Sequence, residues 1–309
     1  MTEARQLLPT DVIALVSHDE YDNGAWPRER FGADESSSAP LGLLLDQFVA
    51  RRRSAWVCVQ RQRLQGLVTV RRRGGREAWE VDYLVDATEG NEKLSHLLDA
   101  AIVAAGKRGA EKLFLRLESS SDMLPSVLES GFHAYQEEAL LTNAGPIDAP
   151  RVELRPLAPS DSYLLYRLYS ATTPESTRRS EAATFAEWHA AQERQWLKGA
   201  SEFVYEKDGA VHAAVSIAKG SYGVVIGLQA DEAALPDLPG IVVSAGYAVN
   251  AHGQPISILL PRAAEPVSHR LADAGFAEQR EFVSLVRRTT RVQKLPKLAP
   301  AVARNAVGA

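Results

Sequence analysis

Among 309 residues there is one cysteine, Cys58, and there are two methionines. A single thiol excludes an internal disulfide framework and points to a reducing compartment. Flanked by Trp56, Val57 and Val59 in an apolar run, Cys58 reads as a small buried hydrophobe and not as a nucleophile. No apolar stretch is long enough to span a bilayer, and the opening Met-Thr-Glu-Ala-Arg-Gln is not a signal peptide. A cytoplasmic location with no membrane partner is therefore expected. The seven histidines contain no His-x-x-x-His pair and none neighbours the cysteine, so no metal site is expected. Nor is there a basic excess. Lys and Arg total 35 against 39 Asp and Glu, a net charge of -4, which disfavours nucleic acid as a partner.

What is present is ordinary for a globular protein, 45% hydrophobic and 24% charged, at a length that suits two domains better than one core. The most legible stretch begins at Trp79. Residues 79–85 alternate as a half-buried strand should, and a short polar loop follows. From Asn91 the period lengthens: Leu94, Leu97, Leu98, Ala101, Ala104 and Ala105 share one helical face, with Gly106 and Gly109 at its end. Residues 112–117 read as a second strand, and a short helix over 122–130 stops at Gly131-Phe132.

This order of strand, loop, helix, strand, short helix and Gly-Phe resembles the cofactor-binding half of the GNAT acyltransferases. The family's loop reads Gln/Arg-x-x-Gly-x-Gly/Ala, and its N–H groups at a helix start hold the pyrophosphate of acetyl-CoA. Here the same place reads Ala87-Thr88-Glu89-Gly90-Asn91-Glu92-Lys93-Leu94, which keeps the architecture without the motif.

The pattern occurs twice. Pro9-Thr10-Asp11 and Pro159-Ser160-Asp161 each precede a helical pattern 150 residues apart, and Gly131-Phe132 and Gly275-Phe276 are 144 apart. Strands over 55–60, 64–71 and 79–85 match strands over 202–206, 210–218 and 222–228. The helix over 91–107 matches one over 240–252, and the strand over 112–117 matches 255–261. A period this long with matched element order means duplicated domains. The expected fold is α/β (α+β): two tandem GNAT-like domains, each a mixed, mostly antiparallel sheet flanked by helices. Boundaries fall at 1–143 and 151–288, with a linker at 144–150 carrying Gly145, Pro146 and Pro150. A further helix is read over 41–53, after an acidic, Ser-rich excursion at 19–40. The tail at 289–309 reads as disordered or as a surface arm. The duplicated layout is similar to that of mycothiol synthases, whose substrate is not carried over because their coenzyme loops are missing here.

The resemblance asks for a phosphate cradle, an open backbone position on the fourth strand to polarise a thioester, and a base. In the first half the cradle would be Gly90, Asn91 and Glu92, although Glu89 and Glu92 suit the positive end of a helix dipole and would repel pyrophosphate. The second-half loop, residues 230–240, has three acids, and Pro236 and Pro239 lack N–H donors. The thioester would be polarised near Leu84 and Val85. Where the family often has a thiolate-protonating Tyr, this chain has Val127 and Leu271. Glu80 and Asp82, on one face of a strand at period two, are the candidate bases; the plainer alternative is that both face solvent. The corresponding strand at 222–228 has no acid. Trp188 and His189, with Trp196, would line the acceptor pocket, or pack as a core face. Tyr163, Tyr166 and Tyr169 present the same choice. The arginine runs 51–53 and 71–73, with Arg76, read either as a phosphate-binding patch or as solvated charge at a helix end and a hairpin tip.

The implied function is acetyl-CoA-dependent transfer to a small-molecule or peptide amine, by a diverged N-acyltransferase that is expected to be monomeric. The alternatives are a catalytically inactive GNAT-like ligand- or partner-binding protein, and an aminoacyl transferase using aminoacyl-tRNA, since Fem-type transferases also pair two such domains.

Overall fold

A computed structural model describes residues 4–11, 14–15, 23–32, 53–61, 63–193 and 199–289. The expected helix over 41–53, most of the 19–40 excursion, Trp196 and the tail beyond 289 lie outside them.

The first half runs β1 (Arg5–Gln6), β2 (Arg53–Gln60), β3 (Arg63–Arg72), β4 (Ala78–Asp86), α1 (Leu94–Lys107), β5 (Lys112–Glu118), α2 (Leu124–Glu129) and β6 (His133–Asn143). The second runs β7 (Arg155–Pro156), α3 (Ser162–Thr172), α4 (Glu175–Glu181), α5 (Phe185–Ala191), β8 (Ser201–Lys207) and β9 (Ala210–Gly220). It continues through β10 (Gly223–Ala230), α6 (Leu238–Ala248), β11 (Ile256–Pro261), α7 (Glu265–Asp273) and β12 (Ala277–Arg288). The short helices α2 and α7 are each followed by a glycine in the left-handed region, Gly131 at φ 79° and Gly275 at φ 90°. An L side chain there is strained, which accounts for the Gly-Phe that marks both halves.

The mixed, mostly antiparallel sheets of the two halves join into one continuous twelve-stranded sheet, ordered β1-β2-β3-β4-β5-β12-β6-β11-β10-β9-β8-β7. Each half lends its last strand to the other. β12 pairs antiparallel with β5 from Phe282↔Glu118 to Arg288↔Lys112, and β6 pairs with β11 from Ile256↔Asn143 to Pro261↔Glu138. β6 and β12 then pair with each other at the centre. The exchange closes two edges that would otherwise present unpaired backbone. It also puts Leu285 into the first-half core.

Two cores follow the helical stripes. Leu94, Leu97, Leu98, Ala101 and Ala105 of α1 pack on Trp56, Val70, Trp79 and Leu113. Leu238, Ile241, Val242 and Ala245 of α6 pack on Val215, Val224, Ile226 and Ile258. β4 is not half-buried as its alternation suggests; every residue from Ala78 to Val85 is buried. Its register against β3 shifts between Thr69↔Tyr83 and Val70↔Val81, leaving Asp82 as the extra residue of a bulge. The bulge inverts the alternation, so Leu84 joins Trp79 and Val81 in one core while Tyr83 and Val85 enter a separate cluster.

Candidate active site

Each half contains one parallel strand pair that opens into a fork. In the first half, β4 and β5 pair only from Ala78↔Lys112 to Glu80↔Phe114. Beyond that point the gap is filled by the chain's own residues 23–27. Leu84 N–H donates to Asn23 Oδ1 at 2.8 Å, and Gly24 N–H donates to the Leu84 carbonyl at 2.8 Å. On the other side, Trp26 N–H donates to the Arg116 carbonyl at 2.9 Å, and the Arg116 guanidinium returns a bond to the Trp26 carbonyl at 3.0 Å. The Leu84 amide, which the resemblance aims at a thioester, is thus already donated. Asn23 is itself buried and also binds Ala25 N–H and the Asp82 carbonyl.

The bases nominated from the sequence sit nearby, and neither faces solvent. Glu80 and Asp82 are each 4% exposed. Glu80 lies between Arg71 at 2.6 Å and Arg73 at 3.0 Å. Asp82 accepts from the Thr69 hydroxyl and from Arg53. Arg71 also binds Glu29. The run 71–73 does lie at the β3–β4 hairpin, but Arg71 and Arg73 are buried among carboxylates and are not a solvated tip. The network continues across the junction: Arg116 binds Glu138 at 2.7 Å and Glu193 at 3.0 Å, and Arg73 reaches Glu193 at 3.1 Å. Burial alone would raise the Glu193 carboxyl, but Arg116, Arg73 and Arg28 outweigh it and hold it well below the usual carboxylate range. For Glu29 burial wins over Arg71, and its carboxyl is pushed up.

The loops after the forked strands carry their own anions. In the first half Asp86 Oδ1 accepts from the Thr88 amide and hydroxyl, and Asp86 Oδ2 accepts from Lys93 N–H at 2.8 Å. Glu92 N–H donates to Thr88 Oγ1 and Asn91 N–H to the Thr88 carbonyl. The donors expected to grip a phosphate at Asn91 and Glu92 are therefore used within the loop, while Gly90 has open space around it. In the second half Asp231 Oδ1 accepts from Ala233 N–H, and Asp231 Oδ2 lies 2.9 Å from His212 Nδ1. A carboxylate occupies each cradle.

Among the described residues, nothing fills the second fork in this way. β10 and β11 pair from Val224↔Ile256 to Gly227↔Leu259 and then part over a cleft of about 240 Å³. Its floor includes Leu228, Gln229 and Ala230 of β10 and Leu260 and Pro261 of β11. Pro261 has no N–H to return to its neighbour strand, so the pairing cannot simply continue. α3, α4 and α5 roof the cleft through Tyr169, Thr172, Glu181 and Trp188, and the first half contributes Arg73, Arg116, Tyr135 and Glu138.

Trp188 faces this cleft, packed against Tyr166 and Tyr169. His189, the next residue on α5, turns to a separate shallow hollow with Phe185 and Gly75. Asn23, Asp86, Asp231 and Glu181 were not singled out from the sequence. The two loop aspartates, 145 residues apart at matching strand ends, are the signal that alignment of the repeat offers; Asn23 and Glu181 have none, because their partners are set by the tertiary fold.

No family model and no curated protein matches the chain. Among solved structures it is similar to a GCN5-related N-acetyltransferase from Sphaerobacter thermophilus, at 16% identity and TM-score 0.57, covering 92% of this chain and 95% of that one. It is also similar to a tandem GNAT protein from the clavulanic acid biosynthesis pathway, at 13% identity and TM-score 0.51, covering 94% and 99%. A Drosophila protein gives 12% identity and TM-score 0.54, covering 94% and 99%. At such identities the likeness establishes the fold alone, which is the GNAT fold. No helix among the described residues is long and apolar enough to cross a membrane, and none of their side chains form a metal-binding group.

Proposed function

From a chain that carries the GNAT fold, we propose an N-acyltransferase with one working site, the second-half cleft. It would pass the acyl group of an acyl-coenzyme A thioester to the amine of a small-molecule or peptide acceptor. The observation that carries this reading is the contrast between the forks: β4 and β5 are bridged by residues 23–27, whereas β10 and β11 part over an open cleft. The thioester supplies an activated acyl carbon. The β10 backbone at Leu228–Ala230 would orient it, and Ala264 and Val267 offer apolar lining beside it. The pyrophosphate end fits poorly because Asp231 occupies the cradle, so the donor would be held mainly by its thioester arm.

That occupied cradle favours one competing reading, a non-catalytic ligand-binding protein. Aminoacyl transfer from tRNA would have to draw on Arg72 and Arg76, which are exposed, since Arg71 and Arg73 are committed to buried carboxylates. The test is calorimetric titration with acetyl-CoA and CoA of the wild-type protein and of Gln229→Trp, which fills the cleft. Micromolar binding, about −8 kcal/mol, lost in the variant at unchanged circular dichroism, is expected. No binding to the wild type at millimolar ligand refutes the acyltransferase and leaves the ligand-binding reading.

A further inference from the structure

The proposed reaction needs a group to take the ammonium proton of the acceptor, and β10 carries no acid. Four carboxylates line the cleft among the described residues: Glu138, Glu181, Glu193 and Glu202. Glu138 is tied to Arg116 at 2.7 Å and to the Ser284 hydroxyl, and Glu193 to Arg116 and Arg73. The arginines around Glu193 hold its carboxyl low, and both carboxylates are already committed to these partners. Glu202 is exposed on an outer strand. Glu181 is different. Its Oε2 accepts from the Tyr169 hydroxyl at 2.9 Å, and the main chain on either side is anchored where α4 ends, with Lys112 Nζ on its carbonyl at 2.8 Å.

A short path links this carboxylate to the fork. Gln229 of β10 donates to the Thr172 hydroxyl at 3.0 Å. Thr172 follows Tyr169 by three residues on α3, on the same helical face. Tyr169 in turn holds Glu181. We infer that Glu181, oriented by Tyr169, is the proton acceptor of the second-half cleft. This assignment rests on the acyltransferase reading. In the step, Glu181 takes one proton from the acceptor ammonium, and the freed nitrogen pair forms the C–N bond at the thioester carbon. The C–S bond then breaks, and the second nitrogen proton goes to the departing thiolate, giving amide, thiol and protonated Glu181, which returns its proton to water.

The electrostatics agree with the geometry. Burial pushes the Glu181 carboxyl up, while Arg73 and the Tyr169 hydrogen bond pull it down and Glu138 and Glu193 add to the rise. A raised carboxyl is a stronger base near neutral pH. Burial, and then the Glu181 charge, push the Tyr169 phenol well up, so it stays a neutral donor. Tyr135, from β6, is likewise pushed up by burial, so it too stays neutral.

The test compares Glu181→Gln, Glu181→Asp and Tyr169→Phe with the wild type. Glu181→Gln is expected to lower kcat at least a hundredfold with KM for the donor within about threefold. It should also abolish the acid limb of the pH–rate profile and leave calorimetric acetyl-CoA binding unchanged. Glu181→Asp should restore part of the rate. Independently of turnover, carbon NMR of labelled glutamate should show raised carboxyl titrations from Glu29 and Glu181, and the one assigned to Glu181 should be absent in Glu181→Gln and moved by Tyr169→Phe. Wild-type rates and pH profile in Glu181→Gln, or no such titration, overturn the assignment alone. Failure of the wild type to bind or turn over any acyl-CoA overturns the acyltransferase reading and this assignment with it.

Discussion

Replacing Asn23 by alanine tests whether the first-half fork is sealed by the chain itself. The Asn23 side chain accepts from Leu84 N–H at 2.8 Å and from Ala25 N–H at 2.9 Å, and donates to the Asp82 carbonyl at 3.2 Å. Leu84 and Ala25 are both fully buried, so truncation leaves two amides without water to replace the lost acceptor. An orphaned buried donor costs about 1–3 kcal/mol. Two of them, partly relieved by relaxation, give an expected loss of about 3 kcal/mol, or roughly a hundredfold in the unfolding equilibrium constant. Urea unfolding followed by tryptophan fluorescence reads the loss, and amide hydrogen exchange at Leu84 reads its origin. Exchange at Leu84 should accelerate in Asn23→Ala while amides in α6 keep their protection. A loss below about 0.5 kcal/mol with unchanged Leu84 exchange would refute the claim that Asn23 closes the fork, and with it the contrast that assigns activity to the second half.

Glu138→Ala should destabilise by about 1.5–3 kcal/mol in the same urea assay, because Arg116 loses its nearest carboxylate where β5, β12 and β6 meet and keeps Glu193 alone, while the Ser284 hydroxyl loses its acceptor; a loss under about 0.5 kcal/mol would show that the junction repacks without it. The acid limb of stability should depend on the repeated pairs Arg5–Asp11 and Arg155–Asp161. Hydrogen bonds from the arginines hold both aspartates below their ordinary value of 3.8, so their contribution is complete above that pH and is lost as pH falls through the lower folded-state values. Melting temperatures of Asp11→Asn and Asp161→Asn between pH 2 and 6 should converge on the wild type at the acid end; parallel curves would refute the linkage.

Much of the architecture follows from local sequence. The 3.6-residue stripe of Leu94, Leu97, Leu98, Ala101 and Ala105 fixes α1 and the face it buries, because side chains three and four apart share a face whatever lies opposite. The paired glycines Gly131 and Gly275 fix where two short helices stop, because only glycine takes that backbone conformation cheaply. The repeat of those signals gives two copies of one element order.

What the chain does with the copies is decided at long range. No local pattern states that β12 will pair with β5 and β6 with β11; both strands are equally amphipathic in either sheet, and the exchange depends on which edges lie side by side. The alternation of β4 predicts a solvent face, but the Asp82 bulge, Arg53, Arg71 and Arg73 enclose it, with Glu29 of the 28–32 turn on Arg71, and they hold Glu80 and Asp82 in internal ion pairs. Asn23 lies 61 residues from the Leu84 amide that it caps. Glu181 gains its setting from Tyr169, Arg73 and Glu138 on three different elements. A period of two or 3.6 residues reports which way a side chain points, and only the folded chain reports what it meets there.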